Sequence, residues 1–385
     1  MTAPAPARDR RPDLASLRFA ALELFLKEKL ALPRYRAQQI YAWMHKRGVR
    51  DFAAMTDLPA ELRARLAAEA TCGHMDVQDV HRSVDGTRKV VLTTVEGHRI
   101  ESVLIPDPMD PDDPKGGVRD RMTLCISTQV GCTLDCNFCY TASLGLARNL
   151  RASEISHQVH QAMGCLDPGE KLTNIVLMGM GEPLANYDET VTALQSMTDA
   201  RGMGIGGRRI TLSTAGMAPE IEKLGDDVNV NLAVSLNATT DEQRDAIMPR
   251  VNKKYPLAQL LAACRRFRTP PNRRITFEYV LLAGVNDSDE DARRLTKLVH
   301  GIPAKVNLIP FNPHPRSPYG RPADERVRAF QRILLAKDIA TSVRQARGQD
   351  IEAACGQLGG PVEPGGHTQA RKAQKGAAPE AGPAE

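Results

Sequence analysis

Aromatic residues are scarce in this chain of 385 residues: one Trp, seven Tyr and eight Phe. Its core must therefore rest on Leu, Ile, Val and Ala. Long apolar runs are missing too. No stretch approaches the roughly 20 residues that a membrane-spanning helix needs. The first residues, MTAPAPARDRRPD, lack the apolar block of a secretory leader, so the expectation is a cytoplasmic protein with reduced thiols. Charge of one sign is not in great excess, with 51 Lys+Arg against 46 Asp+Glu. Hydrophobic residues at 42% and charged residues at 25% exclude collagen-like, coiled-coil and wholly disordered readings.

Cysteine is not scarce. There are eight, and in a reducing compartment they are core residues, metal ligands or redox catalysts sooner than structural bridges. The net charge of +5 is not spread evenly either. Residues 1–95 hold 16 Lys+Arg and 11 Asp+Glu, which accounts for all of it. A basic front end invites an anionic partner such as RNA, or is a plain solvated surface.

Residues 1–12 are rich in Pro, Ala and Arg and read as disordered. From Asp13 the pattern is helical, with Leu14, Leu17, Phe19, Leu22, Leu24 and Phe25 as an apolar stripe. Pro33 breaks it, RYRAQQIYAWMHKRG resumes it, and PAELRARLAAEA closes a small helical accessory domain over 13–85. The period then changes to two. KVVLTTV and RIESVLI flank Glu96-Gly97 as a β-hairpin extension. PDPMDPDDPKGGVRD (106–120) reads as an exposed loop.

Six short apolar runs follow, at 122–128, 174–180, 209–215, 231–237, 274–282 and 305–312, with helical windows between them. Six strand-then-helix units predict an α/β fold, a partial (β/α)6 TIM-like barrel. It would occupy residues 86–358 together with the hairpin. The tail at 359–385 is low-complexity and is expected to be disordered.

Cys132, Cys136 and Cys139 stand in GCTLDCNFC, just after the first barrel strand. Zinc usually takes four protein ligands, commonly in two close pairs. Three thiolates suit three irons of a 4Fe–4S cluster, leaving the fourth iron open to a small chelate. NIVLMGMGEPL ends a strand with Gly179, Gly181, Glu182 and Pro183. Pro183 spoils a dinucleotide-binding loop.

With these two segments the sequence resembles the radical S-adenosylmethionine (SAM) superfamily, Met180 altering its Gly-Gly-Glu-Pro element. RIESVLIP, TLCISTQVGCTLDCNFCYTASLG, ITLSTAG, VSLNA, LIPFNPHP and IEAACGQL carry a narrower resemblance over about residues 14–358. It is to the family of dual-specificity methyltransferases that act on carbon 2 of adenine in 23S rRNA and tRNA. The resemblance implies one 4Fe–4S cluster on Cys132, Cys136 and Cys139, two SAM per turnover and an external electron donor such as flavodoxin. It also implies 23S rRNA and tRNA as partners, no membrane, and a monomer.

Carbon 2 of adenine is not nucleophilic, so a radical route is implied. Cys355 matches the methyl carrier, which becomes S-methylcysteine and joins the RNA covalently. Cys125 matches the thiol that releases it through a transient disulfide bond, and Glu101 the acceptor of the carbon-2 proton. Gly181, Glu182, Ser213, Ser235, Leu236, Asn237 and Asn312 match the SAM contacts. Read alone, Cys125 and Cys355 would be core, Glu101 a solvated face, and the Ser and Asn ordinary turn formers. Cys72, Cys165 and Cys264 read as core thiols.

Arg34, Arg36, Lys46, Arg47 and Arg50 beside Tyr35, Tyr41 and Trp43 suit RNA contacts, although Trp43 also suits a core anchor. Three other functions stay open. They are methylation of carbon 8 by a sister enzyme of the same family, a non-catalytic RNA-binding relative, and a radical SAM enzyme for a peptide or small molecule.

Overall fold

The computed structural model describes residues 11–107, 121–269 and 272–360. Most of the expected disordered N-terminus (1–12) and tail (359–385), and most of the loop at 106–120, lie outside the described residues; at their inner ends Pro12 O accepts from Thr71 N and Gly359 N donates to Glu101, so those positions are bonded.

The front of the chain is helical, as the pattern suggests: α1 Phe19–Leu30, α2 Arg34–Tyr41 and α3 Ala60–Glu69. In α1 the buried stripe is Phe19, Leu22, Leu26 and Leu30, the three-and-four spacing of one helix face. Leu24 falls off that face and is 54% exposed. These residues form a separate apolar cluster with Leu14, Ile40, Tyr41, Met44, Phe52 and Cys72.

Residues 75–82, which the sequence pattern includes in the helical segment, form a strand instead. β1 (Met75–Arg82), β2 (Arg88–Thr94) and β3 (Arg99–Pro106) make an antiparallel meander. Its edge strand is almost wholly solvated, so no apolar alternation marks it.

β3 pairs antiparallel with β4 (Arg121–Cys125), and from there the sheet is parallel. Its further strands are β7 (Lys171–Leu177), β8 (Ile210–Thr214), β9 (Asn231–Ser235), β10 (Ile275–Leu281), β11 (Ala304–Pro310) and β12 (Thr341–Val343). A short antiparallel pair, β5 (Gln129–Gly131) and β6 (Leu146–Asn149), stands apart. The six expected barrel strands are present, and β12 adds a seventh.

Crossover helices cover the parallel strands: α4 (Ala152–Met163), α5 (Tyr187–Thr198), α6 (Ala218–Asp227), α7 (Asp241–Ile247), α8 (Pro249–Lys254), α9 (Leu257–Arg266), α10 (Asp289–Leu298) and α11 (Asp324–Leu335). These parallel strands are mostly apolar runs, which makes them readable in the sequence. Among the described strands the sheet stays open, with edges at β1 and β12. An open parallel array presents its carboxyl ends on one rim, where such folds place their chemistry. Among the described residues no helix is long and apolar enough to cross a membrane.

Candidate active site

The three-cysteine loop is pinned at both ends. β5 enters it and β6 leaves it, and the Cys132 N–H donates to Gly145 O at 3.0 Å. Gly131 has φ +78, and a Cβ there would lie 1.9 Å from Gly145 O. Only glycine fits that approach. Within the loop the Leu134 N–H points at Cys132 Sγ (3.4 Å). The Asn137 N–H and its side-chain amide donate to Ile247 O and Ala246 O. The Arg250 N–H reaches Asp135 Oδ1 at 3.0 Å. The loop is therefore held by α7 and α8 and does not depend on its own short span.

All three cysteines line one cavity with about 930 Å³ of unfilled space. Gly181, Glu182, Ser213, Ser235, Asn237, Asn312 and Cys355 line it as well. Six separate stretches of sequence thus converge there. Leu236 does not; it is wholly buried. Gly181, at φ +99, lies where a Cβ would meet Gln129 Cβ at 2.5 Å, so the loop after β7 packs directly on β5.

Burial and mutual proximity push the cysteine thiols up: Cys132 to about 12, Cys136 well above its ordinary value, and Cys139 upward. A buried set of crowded thiols is costly as thiolates without a positive centre, so the donor chemistry fits a cationic iron–sulfur group. No three His, Cys, Asp or Glu among the described residues are arranged to hold a single metal ion. Three thiols opening onto one cavity suit the three protein-held irons of a 4Fe–4S cluster.

Glu182 is buried and its carboxylate is already occupied. Oε1 accepts from Leu184 N (3.0 Å) and Oε2 from Ala215 N (2.7 Å). Burial still raises its pKa against those two donors. Ser213 Oγ donates to Glu278 Oε2 at 3.1 Å. Glu278 itself is buried and lines the same cavity. Asn237 takes φ 56, and its Oδ1 accepts from Val280 N at 2.8 Å.

The segment carrying Cys355 lies across the rim. Its carbonyl accepts from Asn312 Nδ2 at 3.1 Å, and Asn312 Oδ1 accepts from Gln349 Nε2 at 3.0 Å. Tyr140 N donates to Gly356 O (2.7 Å), and Thr141 Oγ1 to Leu358 O (2.7 Å). Cys355 is thereby tied to the residues that follow Cys139.

Cys355 also lines a second, smaller cavity of about 480 Å³ with Cys125, Met178, Asn312 and Arg344. Two thiols 230 positions apart in sequence thus face one space, and one of them faces the iron-ligand cavity as well. Burial pushes Cys125 up to about 12, with Cys355 adding and Arg344 opposing. No disulfide bond joins them in this structure, where all eight cysteines are free.

Glu101 lines neither cavity. It is only 5% exposed, so the solvated-face reading fails. Its Oε2 accepts from Gly359 N at 2.8 Å, and Oε1 stands 3.7 Å from the buried Lys89 ammonium. Burial raises its pKa, and Lys89 opposes that.

Among the lining residues that escaped sequence reasoning, three bear on the chemistry: Glu278, Met178 and Arg344. Glu278 had a signal, a lone charge inside the apolar run RITFEYVLL. Met178 and Arg344 had none.

Of the basic front residues, Lys46, Arg47 and Arg50 line one pocket. Tyr41 is buried in the helical cluster, and Arg50 Nη1 donates to Cys72 O at 2.9 Å. Arg34 is 3.6 Å from Glu23. Tyr35 is exposed, with the Arg36 guanidinium 4.8 Å from its ring centre. Arg47 lies over Trp43 at 3.9 Å, and Trp43 packs at the border of the cluster. Cys72 and Cys264 are core thiols, and Cys165 packs against the core.

Two family models match. Residues 126–296 match the radical SAM superfamily, and residues 12–72 match a ribosomal RNA large subunit methyltransferase N-terminal domain. A protein of Anaeromyxobacter sp. named dual-specificity RNA methyltransferase RlmN is 49% identical, over 93% of this chain and 94% of that one. One of the same name from Geobacter sulfurreducens is 49% identical, covering 92% and 94%. A solved radical SAM methyltransferase from Sphaerobacter thermophilus superposes with TM-score 0.81 at 44% identity, over 90% of this chain and all but 1% of that one (99%).

Proposed function

The chain belongs to the RlmN family of radical SAM methyltransferases, and from that premise we propose that it methylates carbon 2 of a specific adenosine in 23S rRNA and in tRNA. The observation that carries the reading is the position of Cys355 on the rim shared by the two cavities. From there one sulfur can receive a methyl group beside the iron ligands and be attacked from the side of Cys125.

Cys132, Cys136 and Cys139 would hold the 4Fe–4S cluster, with Gly181, Glu182, Ser213, Ser235, Asn237 and Asn312 around SAM. When bound, that pair supplies the one-electron chemistry that removes a hydrogen atom from an otherwise inert methyl group. The protein does the rest. Cys355 accepts a methyl group on sulfur, and its carbon then bridges to the base. Glu101 takes the carbon-2 proton, helped by a carboxylate pKa that burial has raised toward the working range.

Since Glu101 sits behind the Cys355 segment, bonded to Gly359, its proton-acceptor role requires that segment to shift when RNA enters. Cys125 releases the product. The target adenosine must leave its stack to reach this rim. Exposed Tyr35 and Arg47, with half-buried Arg36 and Trp43 beside them, remain as RNA contacts on the helical unit.

The test is SAM-dependent methylation of an unmodified 23S rRNA fragment and of tRNA by the anaerobically prepared protein, read by mass spectrometry of the digest. Wild type should give methylated adenine with the label on carbon 2, and Cys355→Ala none. Full activity in Cys355→Ala would refute the carrier role. A label on carbon 8 would replace the carbon-2 reading with that of the sister enzyme.

A further inference from the structure

Arg344 follows directly on β12 and lines the smaller cavity together with both thiols, Cys125 and Cys355. Its backbone N–H donates to Leu308 O at 2.8 Å, fixing it against β11. Among the described residues its guanidinium makes no carboxylate ion pair. Its one side-chain contact of hydrogen-bond type is the weak one to Met178 Sδ, at 3.8 Å. A guanidinium in a cavity without a carboxylate pair has to find its counter-charge elsewhere. The groups around it are Cys355, Cys125 and Glu278.

We propose that Arg344 is a positioning residue for the release step: its charge holds the Cys125 sulfur as a thiolate once Cys355 has become bonded to RNA. The proposal rests on the assignment of Cys355 and Cys125 made above.

The electrostatics of the cavity support it. Proximity to Cys355 is the largest effect on Arg344 and raises its pKa, against burial, with Glu278 and Cys125 adding. Around Cys125 the balance is unfavourable. Burial, Cys355 and Glu278 all disfavour its thiolate, while Arg344 and the Met178 N–H favour it. Arg344 is the one cation in that set. Once Cys355 sulfur carries carbon, Cys125 is the thiol of the pair left facing the guanidinium.

The step balances without an added oxidant. The Cys125 thiol gives up its proton, and the sulfur pair forms a bond to Cys355 Sγ. The Cys355 S–CH2 bond breaks toward carbon, and that carbon takes one proton to become the methyl group. Two sulfurs are oxidised to a disulfide while the carbon is reduced. An external dithiol resets the disulfide.

The experiment uses the iron-loaded protein with SAM, a one-electron reductant, a dithiol and the 23S rRNA fragment. Protein–RNA adduct is read on denaturing gels and methylated adenine by mass spectrometry. Arg344→Gln should bind iron and form adduct, but accumulate it as Cys125→Ala does. Its adduct should decay faster with rising pH, about tenfold per unit while the thiol remains mostly protonated. Arg344→Lys, which keeps the charge, should restore release.

Wild-type turnover in Arg344→Gln would overturn the proposal. So would an iron-loaded Arg344→Gln that forms no adduct, because the residue would then act earlier. An Arg344→Lys adduct as persistent as that of Arg344→Gln would overturn the role of charge. If wild type itself yields no methylated adenine, the functional reading fails, independently of Arg344.

Discussion

The carboxylate of Glu101 accepts a hydrogen bond from the backbone N–H of Gly359 at 2.8 Å. A residue of the front hairpin thereby closes on the segment that ends four positions past Cys355. Lys89, from the adjoining strand β2, faces the other oxygen at 3.7 Å, and both side chains are buried. The proposed base and the proposed methyl carrier are thus mechanically linked.

Glu101→Gln keeps the shape and removes the base. Product formation should fall by about 10²–10⁴-fold, the usual weight of a general base, while Cys355 is still methylated, as intact-protein mass would register. Burial raises the Glu101 carboxyl above its ordinary value. A base works only ionised, so activity is present above that raised pKa and is lost as pH falls through it. The acid limb of the rate profile should therefore stand above the ordinary Glu value of about 4.3. An acid limb at the ordinary value would assign proton removal to another group.

How much of this was readable from the sequence depended on the kind of element. The six barrel strands were readable because each is a short, mostly apolar run bounded by turn residues. β1 was not, because a solvated edge strand such as MDVQDVHR carries no apolar alternation. β5 and β6 were too short to carry any period. The three-cysteine loop announced itself through spacing alone. The meeting of Cys125 with Cys355 did not, since contacts across 230 positions follow from sheet order and not from local pattern. The burial of Glu101 was hidden for the same reason: what covers it is a segment about 260 residues away.

Asn312 is the hinge pin of the Cys355 segment, bonding Cys355 O through Nδ2 and Gln349 through Oδ1. Asn312→Ala should remove both bonds at a cost of about 1–2 kcal/mol. The segment around 349–358 should exchange its amide hydrogens faster while the barrel strands keep their protection. Turnover should fall by roughly tenfold, the rate equivalent of about 1.4 kcal/mol in positioning. Unchanged exchange over that segment would mean that Tyr140 and Thr141 hold it unaided.

Gly131 tests the cysteine loop. A methyl group there would meet Gly145 O at 1.9 Å, and the backbone sits at φ +78. Gly131→Ala must therefore part β5 from β6 in addition to the roughly 1–2 kcal/mol of left-handed strain. Iron bound after reconstitution should drop well below that of wild type, measured by iron and sulfide content, while the helical unit and the outer strands stay folded by circular dichroism. Full iron loading with normal absorbance would show that the β5–β6 pair does not set the loop.

Three histidines connect pH to stability where the helical unit meets α4. Burial drives His157 down to about 2 and His160 to about 4, and His45 well below its ordinary value, with Arg50 adding in each case. His74 and His160 also face His157, and a Cβ at Gly48 would lie 2.4 Å from the His160 ring. The Gly48 backbone therefore packs directly on the His160 ring. A histidine whose folded pKa is depressed contributes full stability above the unfolded value of about 6.5. That contribution is lost as pH falls toward the folded value, because the unfolded chain binds protons the folded one refuses. Between pH 6.5 and 5.5 the loss should reach roughly 2 kcal/mol for His157 and His160 together. It would appear as a fall in the urea midpoint with little change in slope. His157→Gln with His160→Gln should flatten that dependence whatever it does to stability at pH 7. A double variant with the wild-type pH slope would place the proton uptake elsewhere.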